Sequence, residues 1–192
     1  MPKVGVLALQ GDVREHATML SQAGAEVSLV KRAEHLEDLD GLIIPGGEST
    51  TIAYLLTTSG VRDALDKKIN DGFNVLGTCA GLIMLSSGIE GGRSDQWSYN
   101  AIDVVVKRNG YGRQIASFET DIDVKGIGQV PGVFIRAPRV VSVGSNVEIL
   151  ATYDHGDGEH PVLMRQGNAW GCSFHPELTS DSRVHELFVK SL

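Results

Sequence analysis

With 192 residues, 42% hydrophobic and 21% charged, the chain has the make-up of one globular domain spanning 1–192, free of repeats and low-complexity tracts. Its 24 acidic residues outnumber 17 basic ones for a net charge of −7, which argues against a nucleic-acid backbone or an anionic membrane surface as partner. Two cysteines in no metal-ligand spacing, no run long enough to span a membrane, and no secretory leader pattern point to a reducing cytoplasm and to no metal.

In chain order, the apolar run Val4 to Leu9 reads as a strand covered on both faces. Gln10-Gly11-Asp12 then turns the chain into a helix from about Val13, with Asp12 and Glu15 spaced as a capping box. Further strands are expected at Glu26 to Val30 and Gly41 to Ile44, followed by a glycine loop, Pro45-Gly46-Gly47-Glu48-Ser49, that opens a helix through about Leu56. A helix over Val61 to Asn70 leads to a strand ending near Thr78. Alternating strands and helices imply a parallel sheet. Beyond Ala101 the pattern changes to short β-branched segments at 102–106, 118–122, 133–135, 147–150 and 161–164, which read as an antiparallel or mixed extension. A final helix, about Ser180 to Lys190, turns Val184, Leu187 and Phe188 inward. The expected fold is α/β, a single-domain, flavodoxin-like three-layer sandwich with a mostly parallel central sheet and a mixed or antiparallel extension.

Gly77-Thr78-Cys79-Ala80-Gly81 sets a cysteine between glycines at a strand-to-helix turn. A side chain on so sharp a turn projects from the sheet edge, and its place at a helix N-terminus favours thiolate and offers amide donors to an oxyanion. Far downstream, His175 and Glu177 are two residues apart at what reads as a strand end, where alternate side chains share a face. Cys79 as nucleophile, His175 as base and Glu177 as the acid that orients it form a triad in that chain order. Cys172 reads as a small buried strand residue, and His16, His35, His155, His160 and His185 as solvated or locally bonded side chains.

Several separated stretches agree in order with one family: Leu9-Gln10-Gly11-Asp12-Val13 with Glu15-His16, the glycine loop, the elbow, Arg108-Asn109 with Gly112-Arg113-Gln114, Ser117-Phe118-Glu119, Phe134-Ile135-Arg136-Ala137-Pro138, and Phe174-His175-Pro176-Glu177-Leu178. The chain resembles the class I, triad-type glutamine amidotransferases, and among them the glutaminase subunits of pyridoxal 5'-phosphate synthase. That resemblance implies hydrolysis of L-glutamine to glutamate and ammonia without a cofactor, and delivery of ammonia to a synthase subunit in a heteromeric complex. It assigns the oxyanion hole to Gly47 and Ala80, substrate binding to Gly47, Glu48, Ser49, Arg108, Ile135 and Arg136, and partner contact to Gln10. The segment Ser94 to Ala101 fits the family pattern least and reads as a variable surface loop. Other readings are the glutaminase of imidazole glycerol phosphate synthase, an α/β-hydrolase with cysteine in its elbow, in which the acid would precede the histidine, and a non-catalytic flavodoxin-like regulatory subunit.

Overall fold

The computed structural model describes residues 1–110 and 117–192. The first half alternates strand and helix: β1 (Lys3–Leu7), α1 (Val13–Gln22), β2 (Glu26–Val30), a 3-10 turn (Ala33–Leu36), β3 (Gly41–Ile44), α2 (Ser49–Thr58), α3 (Val61–Asn70), β4 (Asn74–Thr78) and α4 (Ala80–Leu85). The second half is mostly strand: β5 (Ser86–Glu90), β6 (Ile102–Lys107), β7 (Ser117–Val124), β8 (Gly128–Ile135), β9 (Arg139–Val143), β10 (Glu148–Asp154), β11 (Glu159–Gln166) and β12 (Ala169–Cys172). A 3-10 turn (Pro176–Leu178) and α5 (Arg183–Val189) close the chain.

Seven strands form the central sheet in the order β10-β11-β12-β4-β3-β1-β2. From β12 to β2 every neighbour is parallel, while β10, β11 and β12 pair antiparallel. Side chains alternate across this sheet, as the period of two requires. Leu42, Ile44 and Val75 enter a core shared with Ile52, Leu56 and Leu65 of α2 and α3. Ile43, Leu76, Trp170 and Cys172 enter the opposite core with Leu20 of α1 and Phe188 of α5. Helices thus cover both faces, in the three-layer arrangement expected from the sequence.

β1 lies between β2 and β3, so the loops after β1 and β3 leave toward opposite faces and open a crevice at the C-terminal sheet edge. The register keeps that edge level, with Ile44 beside Gly77 and Thr78 beside Cys172. Residues following four parallel strands therefore meet at one place: Gln10, Gly46, Cys79 and His175.

The extension is a three-stranded sheet, β5-β6-β9, with parallel and antiparallel pairs, plus the β7–β8 ribbon. Phe118 and Phe134 stack across the ribbon with rings 4.6 Å apart, and Phe134, 5.6 Å from Phe174, joins it to the core that includes Phe188 of α5. β5 and β9 lie outside the strands expected from the sequence, because Ser86-Ser87-Gly88 and the exposed Val141 to Val143 carry little apolar alternation. Among the described residues no helix is long and apolar enough to cross a membrane.

Candidate active site

β4 ends at Thr78 and α4 starts at Ala80, leaving Cys79 as the hinge, with φ 49° and ψ −105°. A non-glycine residue there costs on the order of 1–3 kcal/mol, so the surroundings must hold it. Cys79 N–H donates to Cys172 O at 2.8 Å, tying the elbow to β12. On either side the backbones close in: a Cβ on Gly77 would come within 2.4 Å of Gly81 backbone, and one on Gly81 within 2.0 Å of the Ile44 carbonyl oxygen. Gly81→Ala is expected to cost about 3 kcal/mol, since forcing α4 off β3 outweighs the roughly 1 kcal/mol that alanine gains over glycine in a helix. A lowered denaturant midpoint in that variant checks the packing of the elbow.

His175 and Glu177 do not share the face of an extended strand. His175 caps the 3-10 turn of Pro176–Leu178, and its N–H donates to Val133 O at 2.8 Å. The turn folds Glu177 back, so that His175 Nδ1 lies 2.7 Å from Glu177 Oε1. Burial alone would lower the His175 pKa, but hydrogen bonds with Asp12, Cys79 and Glu177 outweigh it and push the value up to about 12. With Nδ1 given to the carboxylate, Nε2 is the nitrogen left for the thiol. Burial raises the Glu177 pKa, and its bond to His175 opposes the rise.

Asp12 stands at the N-cap position of α1, as its spacing suggests, but its carboxylate does not cap the helix. It makes no side-chain cap bond, and its Oδ2 instead stands 3.5 Å from His175 Nδ1. An imidazolium is a stronger attraction for a carboxylate than a helix amide. Asp12, His175 and Glu177 together offer three metal-ligand atoms within 4.8 Å. The 2.7 Å between Nδ1 and Oε1 is nevertheless the length of a shared proton, well below the roughly 3.3 Å between ligands on a tetrahedral zinc.

The glycine loop approaches this pair closely. A Cβ on Gly46 would lie 2.5 Å from the His175 ring, and one on Gly47, at φ 145°, would lie 2.3 Å from Gln10 Oε1. Gln10 Oε1 also accepts from the Glu48 N–H at 3.0 Å, so the loop after β1 holds the loop after β3. Glu48 caps α2, accepting from the Thr50 and Thr51 amides at 3.2 and 2.7 Å. Burial would raise this carboxyl, but the bonds from Thr50 and Thr51 hold its pKa down to about 2. Arg108 Nη2 reaches the same carboxylate at 2.9 Å.

Gly47, Glu48, Ser49, Cys79, Ala80, Arg108, Ile135, Arg136 and His175 line one cleft of about 370 Å³, together with Gln10 and Asp12. Ala80 opens α4, where a first-turn amide has no intrahelical acceptor. The Ile135 carbonyl is 3.9 Å from Cys79 Sγ, and Arg136, at φ 44°, bends the chain at the rim. A slightly larger hollow, about 390 Å³ beside Tyr54 and Trp97, contains none of these groups. Gly112, Arg113 and Gln114 lie outside the described residues.

Sequence reasoning missed three contributors. Gln96, in the segment read as a variable loop, donates to Ser49 Oγ at 2.9 Å and accepts from Arg108 Nη1 at 3.2 Å, joining two cleft residues. His16 and His185 are fully buried rather than solvated, and they hydrogen-bond to each other. His16 sits three and four residues before the buried Met19 and Leu20, a helical spacing that marks it as inward-facing. Cys172 is an inert core residue: burial pushes its thiol well up, and Sγ contacts Phe174 O at 3.3 Å.

Burial pushes the His185 pKa down to about 4, and His16 is lowered by burial and by His185 and His175. The unfolded chain takes up these protons first, so the stability they contribute is complete above the ordinary 6.5 and is lost as pH falls toward about 4. His185 alone accounts for about 3 kcal/mol of that loss. Urea titrations at about pH 7 and pH 4 are expected to show a smaller drop for His185→Phe than for the unsubstituted chain.

Fold and cleft together define a class: α/β amidotransferase glutaminases, in which an elbow cysteine and a histidine–carboxylate pair meet at the rim of a parallel sheet. The chain belongs to the SNO glutamine amidotransferase family, whose pattern matches residues 6–192. It is 54% identical over 190 residues to the pyridoxal 5'-phosphate synthase subunit PdxT of Streptomyces avermitilis, covering 98% of this chain and 92% of that one. With the protein of the same name from Salinispora tropica it shares 51% over 191 residues, 98% and 95% of the two chains. A crystal structure of a glutamine amidotransferase superposes with a TM-score of 0.90 at 48% identity, covering 97% of each chain.

Proposed function

We propose that residues 1–192 form one glutaminase domain, the ammonia-producing subunit of a cytoplasmic pyridoxal 5'-phosphate synthase. The observation that carries the proposal is the single cleft that brings Cys79 and the His175 ring together, with that ring hydrogen-bonded at 2.7 Å to Glu177 beneath the glycine loop. The thiolate of Cys79 attacks the carboxamide carbon of L-glutamine, and the oxygen that becomes an oxyanion is held by the Gly47 and Ala80 amides, each such donor being worth roughly 3 kcal/mol of barrier. The His175 imidazolium gives its proton to the departing nitrogen, so ammonia leaves and a glutamyl thioester remains. Water then loses a proton to the same ring and adds to the thioester, and collapse returns glutamate and free Cys79. Arg108 takes the substrate α-carboxylate, with Glu48, Ser49, Ile135 and Arg136 around it. Two free, buried cysteines suit a reducing compartment.

Relatives named as pyridoxal 5'-phosphate synthase subunits at about half identity favour this synthase over imidazole glycerol phosphate synthase as the consumer of the ammonia. Gln10 makes that coupling physical. Its side chain engages Gly47 and Glu48, so a partner docked on the β1–α1 loop would move the oxyanion loop through it. Ammonia release from glutamine by the chain alone and with its synthase subunit tests this reading. Faster release in the complex is expected, and equal rates would remove the coupling.

A further inference from the structure

Behind the triad lies a file of buried side chains that the proposed chemistry leaves unused. His185 Nε2 is 2.9 Å from His16 Nδ1, His16 Nε2 is 2.9 Å from Thr78 Oγ1, and the same Nε2 is 3.5 Å from Glu177 Oε1. His16 and His185 have no solvent exposure, and Glu177 has 3%. The file joins α5, α1, the last residue of β4 and the catalytic turn. We infer that His16, oriented by His185, is a positioning residue that directs an N–H at Glu177 and so keeps the triad carboxylate ionised and aimed at His175. This inference rests on the proposed triad.

The direction of the protons follows from what the file borders. A neutral imidazole has one N–H, and both rings are neutral because burial opposes their charge. If His16 carried its proton on Nδ1, its Nε2 lone pair would face the Glu177 carboxylate, and His185 would be left with its proton on Nδ1, which is buried with no partner among the described residues. In the other arrangement His185 Nε2–H donates to His16 Nδ1, and His16 Nε2–H donates to Thr78 Oγ1, with Glu177 Oε1 3.5 Å from the same nitrogen. That leaves only a lone pair unmatched at His185, which is less costly than a stranded N–H.

Glu177 needs such help. Its Oε2 has no hydrogen-bond partner among the described residues, and burial works against its charge. The groups that face the pair are His175 on its own turn, Asp12 of the β1–α1 loop, His185 of α5, and the thiols of Cys79 and Cys172. Of these, Asp12 raises the Glu177 pKa, and His175 lowers it. The backbone N–H of Glu177 itself also lowers it, and the N–H edge of His16, 3.5 Å away, adds to that favourable side.

The test uses the chain with its synthase subunit and measures kcat and KM for glutamine against pH in the unsubstituted protein, His16→Phe and His16→Gln. His16→Phe removes the N–H, so Glu177 takes up a proton at higher pH. The acid limb of kcat is expected to move up by about one pH unit, with kcat on that limb down about tenfold and KM unchanged. His16→Gln, which can present an amide N–H, is expected to restore most of the limb. A purely structural role would lower the folded fraction and leave the limb in place, so an unmoved limb in folded His16→Phe, or no recovery in His16→Gln, overturns the inference. Should His16→Phe not fold, His185→Phe carries the test: it frees the His16 tautomer, and a shift in the same direction is expected, an unmoved limb being contrary. Alkylation of Cys79 by iodoacetamide, followed against pH in the same variants, is expected to shift the same way. It reads the triad without turnover, so an unsubstituted complex that releases no ammonia contradicts the glutaminase reading, whereas unmoved alkylation profiles contradict the role of His16.

Discussion

Cys79→Ala is expected to lower glutamine-dependent ammonia release by about 10,000-fold or more, as removal of the nucleophile does where nucleophile and base act as a unit. Only sulfur can form the thioester, and neither Ser49 nor Cys172 can replace it. Ser49 Oγ is held by Gln96, and the Cys172 thiol is enclosed in the core below the elbow. Coenzyme synthesis by the complex supplied with ammonium salt should continue, because the substitution leaves the docking surface intact. Measuring both reactions on one preparation separates loss of chemistry from loss of assembly. Residual glutamine-dependent release above one part in a hundred would mean another group attacks the amide.

Glu177→Gln has the second-largest expected effect, a fall in kcat of about 1,000- to 10,000-fold with little change in KM. An amide in place of the carboxylate takes away the charge opposite the imidazolium and can present an N–H to Nδ1, turning the ring's proton to the wrong side. The half-buried Asp12 carboxylate, 3.5 Å from the same nitrogen, provides some remaining orientation, which places the expectation below a complete loss. Stability is expected to fall by about 3 kcal/mol, because the amide leaves the buried His175 imidazolium without the carboxylate it faces at 2.7 Å. Steady-state kinetics on the folded fraction and thermal denaturation of this one variant check the two effects separately.

Much of this was legible in the sequence where a local pattern and the tertiary role coincide. The all-apolar run at Gly41–Ile44 and the charged, amphipathic Val61–Asn70 are a strand and a helix with the expected bounds. The elbow was readable for the same reason, because both flanking glycines serve the turn and the packing at once. Legibility failed where a distant group overrode a local preference. Asp12 is spaced as a helix cap, but a histidine 163 positions later in the chain claims its carboxylate. His175 and Glu177 were expected on one face of a strand, yet a 3-10 turn brings them together. Gln96 carries no motif, and its place between Ser49 and Arg108 arises only when the loop before β6 folds over α2. His16 and His185 belong to helices at opposite ends of the sequence, and only the packing of α1 beside α5 makes them neighbours.

The most direct measurement is the site of covalent capture. The complex is treated with a diazoketone analogue of L-glutamine, which alkylates a competent thiolate with loss of dinitrogen when the sulfur attacks it as it would the amide, and the chain is digested and mapped by mass spectrometry. One adduct per chain, on Cys79, blocked by excess glutamine and absent from Cys79→Ala, is the expected result. An adduct on any other residue, or none while glutamine is still hydrolysed, would contradict it.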